Sequence, residues 1–223
     1  MKILYLCLHG LGTPPNHITE SEQRYWLSSE RFIQILQLCQ KYQTQSRRIH
    51  VTFDDGNKSD VEIALPIIQD FRFTATFFVI ANMIGKPGFL SRTNIADLRQ
   101  AGMIIGSHGA AHVNWTTLEY AELAEQINRS VNILSDITKE PIKSVAPPYG
   151  AYNRRVLGVL RKLSIAEVYT TDGGESRSDT WLKPRLSLSQ GTPLEEIEMR
   201  IAGRAGWMDR LRCLARSHVR RHQ

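Results

Sequence analysis

Short apolar runs alternate along the chain with stretches in which apolar residues return every three or four positions. The runs are strand-sized and rich in β-branched and aromatic side chains. They predict strands over 3–8, 48–53, 74–80, 103–106, 143–146, 167–170 and 185–189. The periodic stretches predict helices. Phe32, Ile33, Leu36 and Cys39 share a face over 29–43, and Val61, Leu65 and Ile68 share one over 58–70. Leu118, Leu123, Ile127, Val131 and Leu134 do the same over 117–138. Two more helices are expected, over 91–102, which ends at a glycine, and near 153–163. "TPLEE" (192–196) reads as a helix start, with Thr192 as cap, Pro193 first and Glu195 closing a capping box. Leu194, Ile197 and Ile201 would then face the domain. This alternation predicts a parallel sheet with helical crossovers, and periodicity does not decide whether that sheet is open or closed into a barrel. In either form, functional groups gather at the carboxyl ends of the strands.

Those ends carry chemistry. "VTFDDG" places Asp54 and Asp55 where a strand stops, and Gly56 lets the backbone turn at once. Neighbouring side chains leave a strand on opposite faces, so the two carboxylates reach one rim from different angles. Taken alone, DDG fits an ordinary turn or helix cap as well. "GSHGAAH" follows the run "MIIG" and spaces His108 and His112 four apart, which on a helical turn puts two imidazoles on one face. A carboxylate plus two imidazoles makes a three-ligand metal site with an open fourth position, the catalytic zinc pattern. A second carboxylate beside it can serve as general base. "APPYGAYN" (146–153) forms a rigid loop whose N–H groups can face a developing oxyanion, or can be purely structural.

"TFDDG", "SHGAAH" and "PPYGAYN" resemble, in order and spacing, the first three motifs of the polysaccharide deacetylases, the NodB-homology group or carbohydrate esterase family 4. The resemblance covers roughly residues 1–190 and implies a distorted (β/α)7 barrel. It implies a metal-dependent hydrolase, usually using zinc, that removes an N-acetyl or related acyl group from an amino sugar. By motif, Asp54 takes the place of the catalytic base, and Asp55, His108 and His112 those of the metal ligands. The Tyr149 N–H takes that of the oxyanion donor, and Asn114 and Trp115 fall where a cleft could be lined, although a tryptophan there is more often core than sugar platform. Two departures stand out. Many members have an arginine where this chain has Ala146, and a late L-x-H motif where it reads "PRLSLSQ". Arg185 is the candidate for the first role. His9, ending the first strand, is the candidate acid, as in the branch resembling poly-N-acetylglucosamine deacetylases. Asp172, also at a strand end, reads as a turn residue first. A catalytically weak relative that binds sugar or a partner, and a deformylase acting on a lipid-linked amino sugar, remain alternatives.

Charge changes the picture only at one end. Residues 200–223 hold seven of the 28 basic and one of the 22 acidic side chains, leaving 21 of each elsewhere. The domain proper is therefore balanced, and nucleic acid is not an expected partner. The expected organisation is a barrel over 1–192 and a C-terminal helix with a basic amphipathic tail over 193–223. In that tail Trp207, Leu211 and Leu214 lie on one side among Arg204, Arg210, Arg212, Arg216, Arg220 and Arg221. Such a helix suits packing on the barrel with a solvated end, or peripheral contact with an anionic membrane. Cys7, Cys39 and Cys213 are unpaired by spacing and read as packing residues. No run reaches membrane-spanning length and no signal peptide is apparent, so a cytoplasmic, possible membrane-associated location is the expectation, with an N-acetylated amino sugar or glycan precursor as substrate.

Overall fold

In a computed structural model of the protein, the apolar runs become strands and the periodic stretches become the helices between them. The structure describes residues 1–15, 18–204 and 206–222, and leaves the side chains of 207–210, 212 and 222 undescribed. The strands are β1 (Lys2–Leu8), β2 (Arg47–Phe53), β3 (Ala75–Val79), β4 (Ile104–Ser107), β5 (Ser144–Val145), β6 (Glu167–Thr170), β7 (Ser176–Arg177) and β8 (Leu182–Ser187). The helices are α1 (Glu20–Gln23), α2 (Ser29–Tyr42), α3 (Leu65–Asp70), α4 (Arg92–Gln100), α5 (Tyr120–Thr138), α6 (Arg154–Lys162), α7 (Leu194–Ile201) and α8 (Trp207–His222). Ser28, Ser91 and Asn153 cap α2, α4 and α6 through their side-chain oxygens.

Among the described residues, seven parallel strands close into a ring in the order β2-β3-β4-β5-β6-β8-β1. The open-or-closed question is settled by β1, which pairs along its whole length with β2 and also with β8, Tyr5 opposite Arg185. The architecture is the expected distorted (β/α)7 barrel. Its distortion is greatest at β5, which meets β4 through the single pair Ser107–Val145. β7 lies outside the ring, antiparallel to β1.

The strand period of two divides the core. Leu4, Leu6 and Leu8 of β1, Val51 and Phe53 of β2, and Ala75, Phe77 and Val79 of β3 point outward into the layer shared with Phe32, Leu36, Ile68 and Ile197. Tyr5, Phe78 and Tyr169 alternate with them and meet one another in a separate cluster. Polar side chains share that second set, notably His50, Thr52, Thr76, Lys183 and Arg185. Lys183 donates to the Ser178 carbonyl at 2.7 Å, and Tyr169 donates to Glu167 at 2.9 Å. Each of these five polar side chains therefore has a partner to offset its lost hydration.

Three expectations need correction. The helix expected over 58–70 is a π-helical turn, Asp60–Ala64, followed by α3. Pro66, near the start of α3, has no N–H to continue the regular ladder, and the wider turn accommodates it. The last barrel strand lies earlier than 185–189, at Leu182–Ser187. Pro184 masks its start, although it is tolerated because pairing to β1 begins only at Arg185. Thr192 does not cap α7. Pro193 holds that position, and the Thr192 hydroxyl bonds Ser189 instead, at 3.0 Å. Ile197 and Ile201 are nonetheless buried, as expected. Of the tail residues, the side chains of Trp207, Arg210 and Arg212 lie outside the described residues.

Phe77 stacks on Phe53 at 5.0 Å between ring centroids, in the outer layer. Phe77→Ala should cost about 3–5 kcal/mol, seen as a lower urea midpoint with an unchanged slope.

Candidate active site

The ladder between β1 and β2 runs one residue past the strand, with the Asp54 N–H donating to the Leu8 carbonyl at 2.9 Å. The chain then turns through two left-handed residues, Asp55 at φ 78° and Gly56 at φ 73°. Gly56 lies so close to Val79 that an added Cβ would stand 3.0 Å from its Cγ1. Asp55 holds a conformation that L-residues rarely adopt, a strain found where surrounding structure dictates it.

This turn sends the two carboxylates to different partners. Asp54 is buried, and Arg185 grips it with both terminal guanidinium nitrogens, at 2.6 and 2.8 Å. The same guanidinium donates to Thr52 Oγ1 at 3.1 Å and to the Thr170 carbonyl at 3.3 Å. Burial alone would push the Asp54 carboxyl up, but the Arg185 guanidinium holds it well below the usual carboxylate range. The cation thus comes from β8, two strands along the ring from β5, which Ala146 follows. Cys7 donates a weak hydrogen bond to Asp54 Oδ2 at 3.4 Å, and burial keeps its thiol protonated.

Asp55 faces the imidazoles. Its Oδ1 lies 3.5 Å from His108 Nε2 and 3.6 Å from His112 Nε2. His108 Nδ1 is 2.7 Å from the Ala146 carbonyl, so it carries the proton and Nε2 presents a lone pair. Burial pushes the His108 imidazole down to about 3 and lowers His112 as well, leaving both neutral. Burial likewise raises the Asp55 carboxyl to about 6. Asp55 Oδ1 is buried and takes no hydrogen bond among the described residues.

The donor set fits a cation. The separations are too long for hydrogen bonds. Two ligand atoms about 2.1 Å from a tetrahedral ion stand about 3.4 Å apart, close to the spacing found here. One orphaned oxygen and two lone pairs within 4.8 Å of one another are what a divalent ion requires. The histidines meet differently from the expectation. They lie on a loop and not on a helical turn, with Gly109 at φ 83°. That loop is held to α5, Ala110 N–H bonding the Gln126 carbonyl and Ala111 N–H its side chain.

His9 reaches the same place from β1. Its ring nitrogen, Cys7 Sγ and an Asp54 oxygen lie within 4.8 Å of one another. Its ring stacks on Tyr25 at 4.9 Å, and its Nδ1 is buried without a hydrogen-bond partner among the described residues. Tyr149 stands at the rim, 62% exposed and left-handed at φ 60°. Its ring lies 4.3 Å from that of His112, and its hydroxyl donates to the His112 carbonyl at 3.2 Å.

Other candidates are placed elsewhere. Trp115 is fully buried in the core, and the Asn114 side chain caps the turn that follows it. Asp172 lies in a bend, as expected, but its side chain is a buried anchor. It accepts from Tyr152 at 2.6 Å, Thr170 at 2.9 Å and Arg220 of α8 at 2.9 Å. Sequence reasoning missed Cys7 and Thr52 as neighbours of Asp54. Their signal was the inward phase they share with Tyr5, visible once β1 and β2 are paired in register. It also missed Asp60, a fully buried acid whose carboxyl burial raises well above its ordinary range.

Comparison with known proteins adds a lineage. A model described as polysaccharide deacetylase matches residues 41–168. A peptidoglycan-N-acetylglucosamine deacetylase, PgdA, of Listeria monocytogenes is 33% identical over 113 residues, covering 50% of this chain and 23% of the relative. A poly-beta-1,6-N-acetyl-D-glucosamine N-deacetylase of Staphylococcus aureus is 23% identical over 185 residues, covering 74% of this chain and 64% of the relative. The chain thus spans less than two thirds of either. Among solved structures, IcaB from Ammonifex degensii shares the fold with a TM-score of 0.76 at 21% identity, covering 91% of this chain and 97% of that one.

Arg185→Met would strand a carboxylate inside the barrel, and stability should fall by about 3–5 kcal/mol in urea unfolding. His108→Ala and His112→Ala should each weaken binding of a divalent ion by at least about 100-fold in chelator-competition titrations, whereas Cys7→Ala should not.

Proposed function

The chain belongs to the polysaccharide deacetylase family, and we propose that it is a metal-dependent hydrolase removing an N-acetyl group from an amino sugar of a glycan or glycan precursor. One observation carries this reading: Asp55, His108 and His112 converge beside a second carboxylate that Arg185 holds ionised. The two relatives, a peptidoglycan-N-acetylglucosamine deacetylase and a poly-beta-1,6-N-acetyl-D-glucosamine N-deacetylase, support the substrate class.

Asp55, His108 and His112 would hold the ion, and this oxygen-and-imidazole set suits zinc. When bound, it supplies Lewis acidity to the acyl carbonyl and to water. The remaining work falls to the chain. Asp54 accepts the proton of the attacking water. Arg185 keeps that base charged and fixed in direction, so no reorganisation is needed as the reaction proceeds. The Tyr149 N–H, on its left-handed turn, donates to the oxyanion that develops. His9 gives a proton to the departing amine, with Tyr25 fixing its ring plane. His9 fills the place left by the missing late histidine because β1 and β8 are neighbours in the closed ring. The basic α8, with Leu211, Leu214 and Val219 exposed, supports peripheral contact with an anionic membrane and hence a substrate of envelope-glycan synthesis.

The test is acetate release from N-acetylglucosamine oligomers by zinc-loaded protein. His9→Ala and Asp54→Asn should each lower kcat by at least about 100-fold with metal content unchanged. Equal activity of His9→Ala and the parent would remove His9 as the acid. If glycan binds but neither acetate nor formate is released from any acylated amino sugar, the reading of a binding protein replaces this one.

A further inference from the structure

In a parallel barrel each crossover normally lays a helix on the outside of the sheet. The connection from β6 to β8 does not. It carries the short strand β7, which turns away to pair with β1. The outer side of β8 therefore lacks a crossover helix between α6 and α7, and α8 crosses above it. Beneath α8 runs a groove of about 1140 Å³.

Its walls are apolar. Leu4 of β1, Leu182, Pro184 and Leu186 of β8, Leu157 of α6 and Leu214 of α8 line it. Leu157, Leu182 and Leu186 are half-buried where outward residues of the neighbouring strands are fully buried. The rim is cationic. Lys2, Arg154, Arg161 and Arg221 border the groove, and among the described residues no carboxylate pairs with them. The two acids on the lining are already taken by cations from outside it, Asp172 by Arg220 at 2.9 Å and Glu175 by Arg47 at 2.5 Å. Arg161 also lies over the Trp181 ring at 4.8 Å, which holds its guanidinium at the edge.

An apolar trough edged by unpaired guanidinium groups matches an amphiphile with an apolar chain and a phosphate head. We infer that this groove binds a phosphate-headed lipid, with the chain along β8 and the phosphate at Arg154, Arg161 and Arg221. None of these residues takes part in the chemical steps proposed above, so loss of lipid binding and loss of acetate release are read separately; of the residues named for the membrane contact of α8, only Leu214 is shared.

The probe is dodecyl phosphate below its micelle concentration, titrated calorimetrically into the full chain. Saturable binding is expected, at least about 10-fold tighter than that of inorganic phosphate or dodecyl maltoside. Leu214→Glu and Arg154→Glu, both at exposed positions, should each weaken it by about 10-fold with the circular dichroism spectrum unchanged. No saturable binding, or binding that neither variant alters, would overturn the inference. Inorganic phosphate or the neutral amphiphile binding as tightly would do the same, leaving a simple anion site or a simple apolar trough. An acidic amphipathic peptide that binds where dodecyl phosphate does not would assign the groove to a protein partner.

Discussion

A guanidinium and a carboxylate, both removed from water, meet at the mouth of the barrel, and the arrangement around them follows from keeping that pair satisfied. Taking either charge out of water costs several kcal/mol, and a bare partner costs more. Here the pair is bidentate, and Thr52 and the Thr170 carbonyl take up further guanidinium protons. The three strands that supply these groups are β2, β6 and β8. They converge only because β1 bridges β2 and β8. Asp54 is thereby committed to Arg185, and Asp55 is left to face the two imidazoles without a compensating protein cation.

Much of the site was legible because its residues are written next to one another. The two aspartates and two histidines fall in short motifs at strand ends, and the alternation of runs placed those ends at one rim. The histidine spacing pointed to two imidazoles that do lie together, but through another geometry. A four-residue interval means a shared face only in a helix, and this loop brings the rings together by its ties to α5. Arg185 and His9 were harder. Each lies far along the chain from Asp54, so their proximity depends on ring closure, which local periodicity does not encode. The expectation for both came from seeking replacements for missing residues, and the structure places both beside Asp54.

Other features were invisible for physical reasons. β7 is two residues long, too short for any pattern. The π-helical turn has the composition of an ordinary helix. Asp172 looks like a turn aspartate, because its partner Arg220 is 48 residues away and lies in a segment whose charge suggested solvent. That contact changes how α8 reads: the basic tail is tied to the barrel by one of its own arginines.

The double pairing of β1 also bears on how the molecule is made. Tyr5 lies opposite both His50 and Arg185, so one neighbour follows within about 45 residues and the other only after some 180. During synthesis, β1 can pair early with β2, but its second edge stays open until β8 leaves the ribosome. Until then the growing sheet carries two unpaired edges of largely apolar strands, the condition under which chains pair with one another. The strand that supplies His9 is thus also the one that leaves the nascent chain exposed longest, and chaperone demand should track the delay before β8 is made.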